Sequence, residues 1–226
     1  MKENSTQHAV RAGAVESGYE RRRAVFLDRD GVINENRHDY VKTWEEFVFL
    51  PGIMEPLGLL AHSDFLVIIV SNQSAIHRGL VSSAMVDEIN HRMVNQVIKA
   101  GARIDGVYFC PHMPGEACDC RKPQPGLLLR AAEEMQIDLE QSYCVGDKLV
   151  DVAAGRAAGC RSMLVLTGEG SKQDLTAIKD LVVVRDLQEA VELILHDRFD
   201  ALKNIERQSI QNDLDDAAAQ IEDVDD

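Results

Sequence analysis

The chain has 226 residues, 45% of them hydrophobic, which is enough for one domain of moderate size with a substantial core. Its net charge of −14 argues against a general binder of nucleic acid or anionic membrane, because phosphates attract basic surfaces. The longest strongly apolar run, 65–70, is far shorter than the roughly 20 residues of a membrane span, and residues 1–23 lack the apolar stretch of a secretory signal.

Residues 1–23 read as a polar tail, with Arg21, Arg22 and Arg23 a solvated lead-in. From residue 24, short apolar runs alternate with helical patterns. Strands are predicted at 24–27, 65–70, 107–109, 143–145, 163–166 and 181–184, several apolar at consecutive positions as in strands covered on both faces. A helix is expected over 51–62, starting at Pro51. Ser82 or Ser83 caps a second, with Met85, Ile89, Met93 and Val97 on one face. Three more follow at 125–135, 149–158 and 186–195. This alternation predicts a Rossmann-like α/β fold, a parallel sheet with helices on both faces. Residues 198–226 read as a solvated acidic tail; its last 14 residues hold seven acids and no base.

In such sheets ligands sit beyond the carboxyl ends of the strands. The first strand ends in Asp28-Arg29-Asp30-Gly31, whose paired carboxylates suit a hard cation or a split between nucleophile and proton donor. The second ends in Ser71-Asn72-Gln73-Ser74, short polar groups able to hold phosphate oxygens. Arg121 and Lys122 precede a helix, where cations reinforce anion binding by its N-terminus. The fourth strand ends in Gly146-Asp147-Lys148, followed by Asp151, another carboxylate placed to complete a metal site. Together these four strand ends carry the groups that phosphoryl transfer needs.

Cys110, His112, Cys118 and Cys120 form the pattern C-x-H-x5-C-x-C. Three thiolates and one imidazole make a closed, structural zinc site in a reducing compartment. Cys144 and Cys160 read as core residues.

The motif order D-x-D, strand-end Ser, Lys and G-D-x-x-x-D, carried by Asp28, Asp30, Ser71, Lys122, Asp147 and Asp151, resembles the haloacid dehalogenase superfamily of phosphatases. The runs F-L-D-R-D-G-V-I-N at 26–34, F-L-P-G at 49–52, S-N-Q-S at 71–74, R-K-P at 121–123 and V-G-D-K at 145–148 look like its heptose bisphosphate and histidinol-phosphatase subfamily. The resemblance implies a nearly capless core with the same zinc loop, and a division into a tail (1–23), a phosphatase domain (24–197) and an acidic tail (198–226). It also implies a cytoplasmic, monomeric, Mg²⁺-dependent phosphatase that removes the 7-phosphate of D-glycero-D-manno-heptose 1,7-bisphosphate, with histidinol phosphate as the alternative substrate and a non-catalytic zinc-stabilised domain as the alternative of another class. On this pattern Asp28 is the nucleophile and Asp30 the acid/base. Ser71 and Lys122 bind the transferred phosphate. Asp28, Asp147 and the Asp30 carbonyl hold Mg²⁺. Asn36, Arg37, His38 and Asp39, with Asn72, Gln73, Ser74, Arg121 and Lys148, line the substrate mouth. The subfamily reads S-N-Q-S-G-I-A-R-G where this chain has Ala75 and His77, on a loop expected to face substrate.

Overall fold

The computed structural model describes residues 21–197; the acidic tail and most of the N-terminal one lie outside the described residues. Six parallel strands lie in the order β3-β2-β1-β4-β5-β6. They are β1 (Ala24–Leu27), β2 (Leu66–Asn72), β3 (Gly106–Cys110), β4 (Tyr143–Gly146), β5 (Arg161–Val165) and β6 (Val182–Val184). In the central strand side chains alternate between two cores. Val25 and Leu27 pack with residues of α1 (Met54–Ala61), α2 (Ser83–Lys99) and α5 (Leu187–Leu195), while Ala24 and Phe26 pack with α3 (Gly126–Met135) and with Ala154 of α4 (Leu149–Ala158). Apolar residues at consecutive positions are therefore required, since both faces are covered.

The elements follow the predicted order, with local shifts. The first helix begins at Met54 rather than Pro51, because Gly52 takes a left-handed φ of +74° and turns the chain first. The Ser82 side chain caps α2 by accepting from the Met85 N–H, but Met85 itself is exposed, and the buried face is Val86, Ile89, Asn90, Met93 and Val97. β5 starts two residues earlier than expected, at Arg161 and Ser162, whose polarity hid it. Between β1 and α1 the chain forms only a loop with one 3-10 turn, Trp44–Glu46, steadied by stacked Trp44 and Phe47 with Phe49 edge-on. Among the described residues no cap domain intervenes, and no helix is long and apolar enough to cross a membrane.

Candidate active site

Because β1 lies between β2 and β4, three strands deliver their terminal residues to one place. Asp28, Asp147 and Asp151 bring carboxylate oxygens within 4.8 Å of one another, and all three are buried. Lys122 enters from the segment before α3. Its Nζ lies 2.6 Å from Asp28 Oδ1 and 2.6 Å from Asp151 Oδ1, and donates to the Val70 carbonyl at 2.7 Å. Asn72 fixes the backbone there, accepting from the Lys122 N–H and donating to its carbonyl, each at 3.1 Å.

Burial sets the direction for Asp28 and Asp147. It pushes the Asp28 carboxyl up to about 7, with Lys122 pulling down and Asp151 and Asp147 pushing further up. Asp147 is also raised, again chiefly by burial. For Lys122 burial favours the neutral amine, but Asp151 and Asp28 outweigh it and hold the ammonium. Three buried carboxylates facing one buried ammonium suit a divalent cation of the oxygen-liking kind. The backbone makes room for the Asp147 carboxylate: a Cβ on Gly31 or Gly168 would fall 2.1 or 2.4 Å from Asp147 Oδ2, so only glycine fits at either position. Asp147 also accepts from the Glu169 N–H (2.9 Å) and from Asn36 Nδ2 (3.2 Å), and Lys148 Nζ stands 3.3 Å from it. Asp151 Oδ2 accepts from the Lys148 N–H at 3.0 Å and so satisfies one free donor at the start of α4.

Asp30 points into a separate set of donors. Arg29 Nη2 reaches both its oxygens (3.0 and 3.1 Å), Asn34 Nδ2 donates at 2.9 Å and Gln73 Nε2 at 2.8 Å. Burial raises the Asp30 pKa, but the Arg29 charge and these bonds more than offset it and keep the carboxyl below its ordinary range. Gln73 donates as well to Ser71 Oγ at 3.1 Å, which links the two strand ends. Arg29 is 1% exposed and is held by Asn90 Oδ1 of α2 at 3.1 Å. Neither Arg29 nor Asn90 was expected at the site. Asn90 sets an amide among the buried apolar residues of α2, a cue that does not name Arg29 as its partner.

Above these groups opens a cavity of about 330 Å³. Of the predicted residues, Asp28, Asp30, Asn36, Arg37, Asn72, Gln73, Ser74, Arg121, Lys122, Lys148 and Asp151 line it; Ser71 and Asp147 are buried beneath it, and His38 and Asp39 do not line it either. Asp39 is turned back on its own loop, where it holds Arg37 (3.0 Å) and Lys42 (2.9 Å). Hydrogen bonds from Lys42 and then Arg37 keep it well below the usual carboxylate range. The two positions that depart from the subfamily pattern also turn away from the cavity. Ala75 is fully buried in a small cluster with Val81 and Val86, and His77 Nδ1 meets Glu116 Oε2 at 3.2 Å. Sequence reasoning missed Arg78, Tyr40, Val41, Pro114 and Val150, which complete the lining.

The Cys/His cluster lies beside the cavity. Cys110 Sγ is 3.4 Å from His112 Nδ1, 3.9 Å from Cys118 Sγ and 3.2 Å from Cys120 Sγ, and His112 Nδ1 is 3.3 Å from Cys120 Sγ. Four soft or borderline donors at such separations fit a tetrahedral ion bound at roughly 2.0–2.3 Å. Burial and the neighbouring thiols push Cys120 up to about 12, a crowding that a cation would relieve. The loop closes on α3, where the Gly126 N–H donates to the Asp119 carbonyl at 2.9 Å, and a Cβ on Gly126 would fall 2.3 Å from that oxygen. It also carries Arg121, whose Nη1 donates to the His112 carbonyl at 3.0 Å.

Comparison with known proteins agrees with this geometry. A family model described as HAD-hydrolase-like matches residues 119–190. The D-glycero-beta-D-manno-heptose-1,7-bisphosphate 7-phosphatase of Pseudomonas aeruginosa is 38% identical over 149 residues, covering 66% of this chain and 84% of its own. The Pseudomonas putida protein of the same name is 38% identical over 162 residues, covering 72% and 93%. Among solved structures, the D,D-heptose 1,7-bisphosphate phosphatase of B. bronchiseptica, complexed with magnesium and phosphate, superposes with a TM-score of 0.73 at 34% identity, covering 77% of this chain and 99% of that one.

Proposed function

The chain belongs to the D-glycero-beta-D-manno-heptose-1,7-bisphosphate 7-phosphatase family of HAD-like hydrolases, and on that premise we propose that it removes the 7-phosphate of this sugar bisphosphate through an aspartyl-phosphate. The observation that carries the reading is the buried constellation in which Lys122 bridges Asp28 and Asp151 beside Asp147. A carboxylate is a weak nucleophile towards a phosphate dianion, so charge must be neutralised before attack. Asp28, Asp147 and the Asp30 carbonyl would hold Mg²⁺, which when bound supplies most of that neutralisation.

The other roles fall to this chain's own groups. Asp28 attacks phosphorus, and the bond from phosphorus to the sugar oxygen breaks. Lys122 and Ser71 bind the remaining phosphate oxygens, where charge sits in the transition state. Asp30 gives a proton to the departing oxygen and then takes one from the water that hydrolyses the acyl phosphate. In the resting arrangement Asp30 is ionised, the form needed for the second of these steps. Its first role requires a proton, which the incoming phosphate dianion favours by raising the carboxyl's pKa. Asn36, Gln73, Ser74, Arg121 and Lys148 contribute the surrounding binding surface. Cys110, His112, Cys118 and Cys120 would hold Zn²⁺ as a closed structural site that fixes Arg121 and Lys122. Cysteines committed to a metal site with no disulfide among the described residues fit a reducing, cytoplasmic compartment.

The test is steady-state kinetics with Mg²⁺ on both anomers of heptose 1,7-bisphosphate, fructose 1,6-bisphosphate and histidinol phosphate. One heptose bisphosphate should exceed histidinol phosphate in kcat/KM by at least roughly 100-fold. The reverse order would overturn the substrate assignment and leave the phosphatase chemistry standing.

A further inference from the structure

Five cationic side chains line the cavity, and four of them are already engaged. Lys122 is held by Asp28 and Asp151, and Lys148 by Asp147. Arg37 is held by Asp39, and Arg121 donates to the His112 carbonyl. Arg78 differs: among the described residues its guanidinium makes no hydrogen bond and no ion pair. An arginine left open at the mouth of a cavity, with a planar fork of donors, is matched by a phosphate dianion.

The backbone beneath Arg78 is held in a hydrogen-bonded turn. It follows β2 directly, and the Ile76, Arg78, Gly79 and Leu80 N–H groups donate to the Gln73, Ser74, Ile76 and Ala75 carbonyls at 3.0–3.2 Å. Ala75 anchors the underside of this turn in the cluster with Val81 and Val86. On the other side His77 meets Glu116 at 3.2 Å, and Glu116 in turn accepts from the Met113 N–H. The turn is thereby tied to the loop that carries Cys110, His112, Cys118 and Cys120. His77 stands where the subfamily pattern has a small residue, whose side chain is too short to reach Glu116.

Resting on the bisphosphatase reading, we infer that Arg78 binds the second phosphate, the one the enzyme leaves in place, and that His77 is a positioning residue that holds the Arg78 turn against the cysteine-rich loop through Glu116. Arg121 faces the same cavity from the loop, so the retained phosphate meets guanidinium groups from two segments.

The experiment compares wild type, Arg78→Ala, His77→Ala and the double variant on heptose 1,7-bisphosphate and on p-nitrophenyl phosphate. Arg78→Ala should lower kcat/KM for the bisphosphate by roughly 10- to 150-fold, the range of one charge-assisted bond, and mostly through KM. The loss on the aryl ester should be at least about 10-fold smaller, since that substrate has one phosphate only. His77→Ala should raise KM for the bisphosphate a few-fold at unchanged kcat, and His77→Gln, which keeps a donor for Glu116, should recover part of it. In the Arg78→Ala background the His77→Ala effect should vanish, because two residues serving one contact do not add. Equal losses on both substrates, or none on the bisphosphate, would overturn the Arg78 assignment. A His77 effect that persists without Arg78 would make His77 a structural residue only. If wild type itself shows no preference for the bisphosphate, the functional reading has failed, a result distinct from either.

Discussion

At the floor of the cavity Lys122 is 3% exposed and lies 2.6 Å from two carboxylates; at its mouth Arg37, with a side chain 37% exposed, lies 3.0 Å from Asp39. Both are ion pairs on paper. At the floor the partners come from β1, from the start of α4 and from the segment before α3, and water is excluded, so attraction and desolvation are both large. At the mouth Arg37, Asp39, Lys42 and Glu46 lie within one short loop and in solvent, where such pairs contribute little. The floor is built to hold unbalanced charge ready for a ligand, whereas this part of the rim has already cancelled its own.

The sharpest way to break that contrast is Asp28→Asn, which keeps the shape of the floor and removes its nucleophile. Turnover should fall by at least about 10³-fold while the fold persists. Residual activity above about 1% of wild type would move the nucleophile elsewhere. Next in size is Cys118→Ser, which attacks the loop behind the rim. Metal analysis should find about one zinc per chain in the wild-type protein and markedly less in the variant. Its Tm should drop by at least about 5 °C, since about 1 kcal/mol already moves Tm by about 2–4 °C in a domain of this size. A wild-type protein purified reduced and still free of zinc would sink the assignment.

A subtler prediction follows from the floor's electrostatics. In metal-free protein burial holds Asp28 up at about 7, so its protonated form stabilises the fold at low pH, and that contribution is lost as pH rises through 7. Mg²⁺ competes with this proton. At pH 6 binding must displace it, at a cost of about 1.4 kcal/mol for one unit below the pKa, and at pH 8 it need not. Differential scanning fluorimetry should therefore show a larger Mg²⁺-induced rise in Tm at pH 8 than at pH 6, by about 2–4 °C. An equal or reversed shift would mean that Asp28 does not share its site with the metal.

The same division explains what could be read from sequence. Strand ends carry chemistry at fixed chain positions, so the placement of Asp28, Asp30, Ser71 and Asp147 at one edge of the sheet was legible from order and spacing, and their neighbours follow from parallel pairing; Lys122 joins them from the segment before α3. Loop residues have no such register. His38 and Asp39 follow the nucleophile loop in sequence, yet Asp39 folds back onto Arg37 and Lys42, and neither residue reaches the cavity. Ala75 and His77 sit on the right loop but face the core and Glu116. Arg29 and Asn90 are 61 residues apart, and their contact depends on how α2 packs under the β1 loop, which no local pattern encodes. Met85 shows the same limit on a smaller scale: it has the helical spacing of the core face but lies exposed in the first turn, where Val86 takes the buried position.

The smallest predicted effect concerns Arg37, and it separates the two kinds of cation at the mouth. Arg37 lines the cavity, but its Nη2 is on Asp39 and its Nε donates to the Tyr40 carbonyl at 3.3 Å. To reach a phosphate it must give up those partners, and the gain is then only the difference between two solvent-screened contacts. Arg37→Ala should therefore change kcat/KM for heptose 1,7-bisphosphate by less than about five-fold, well below the loss expected at Arg78. The converse variant, Asp39→Asn, keeps the loop's shape and weakens the hold on Arg37. It should lower KM for the bisphosphate slightly, and raising the salt concentration should erase the gain. A loss of 10-fold or more in Arg37→Ala, confined to the bisphosphate, would show that substrate pulls Arg37 off Asp39. The rim would then be a set of cations released on binding, no longer an arginine that is free among the described residues beside neutralised neighbours.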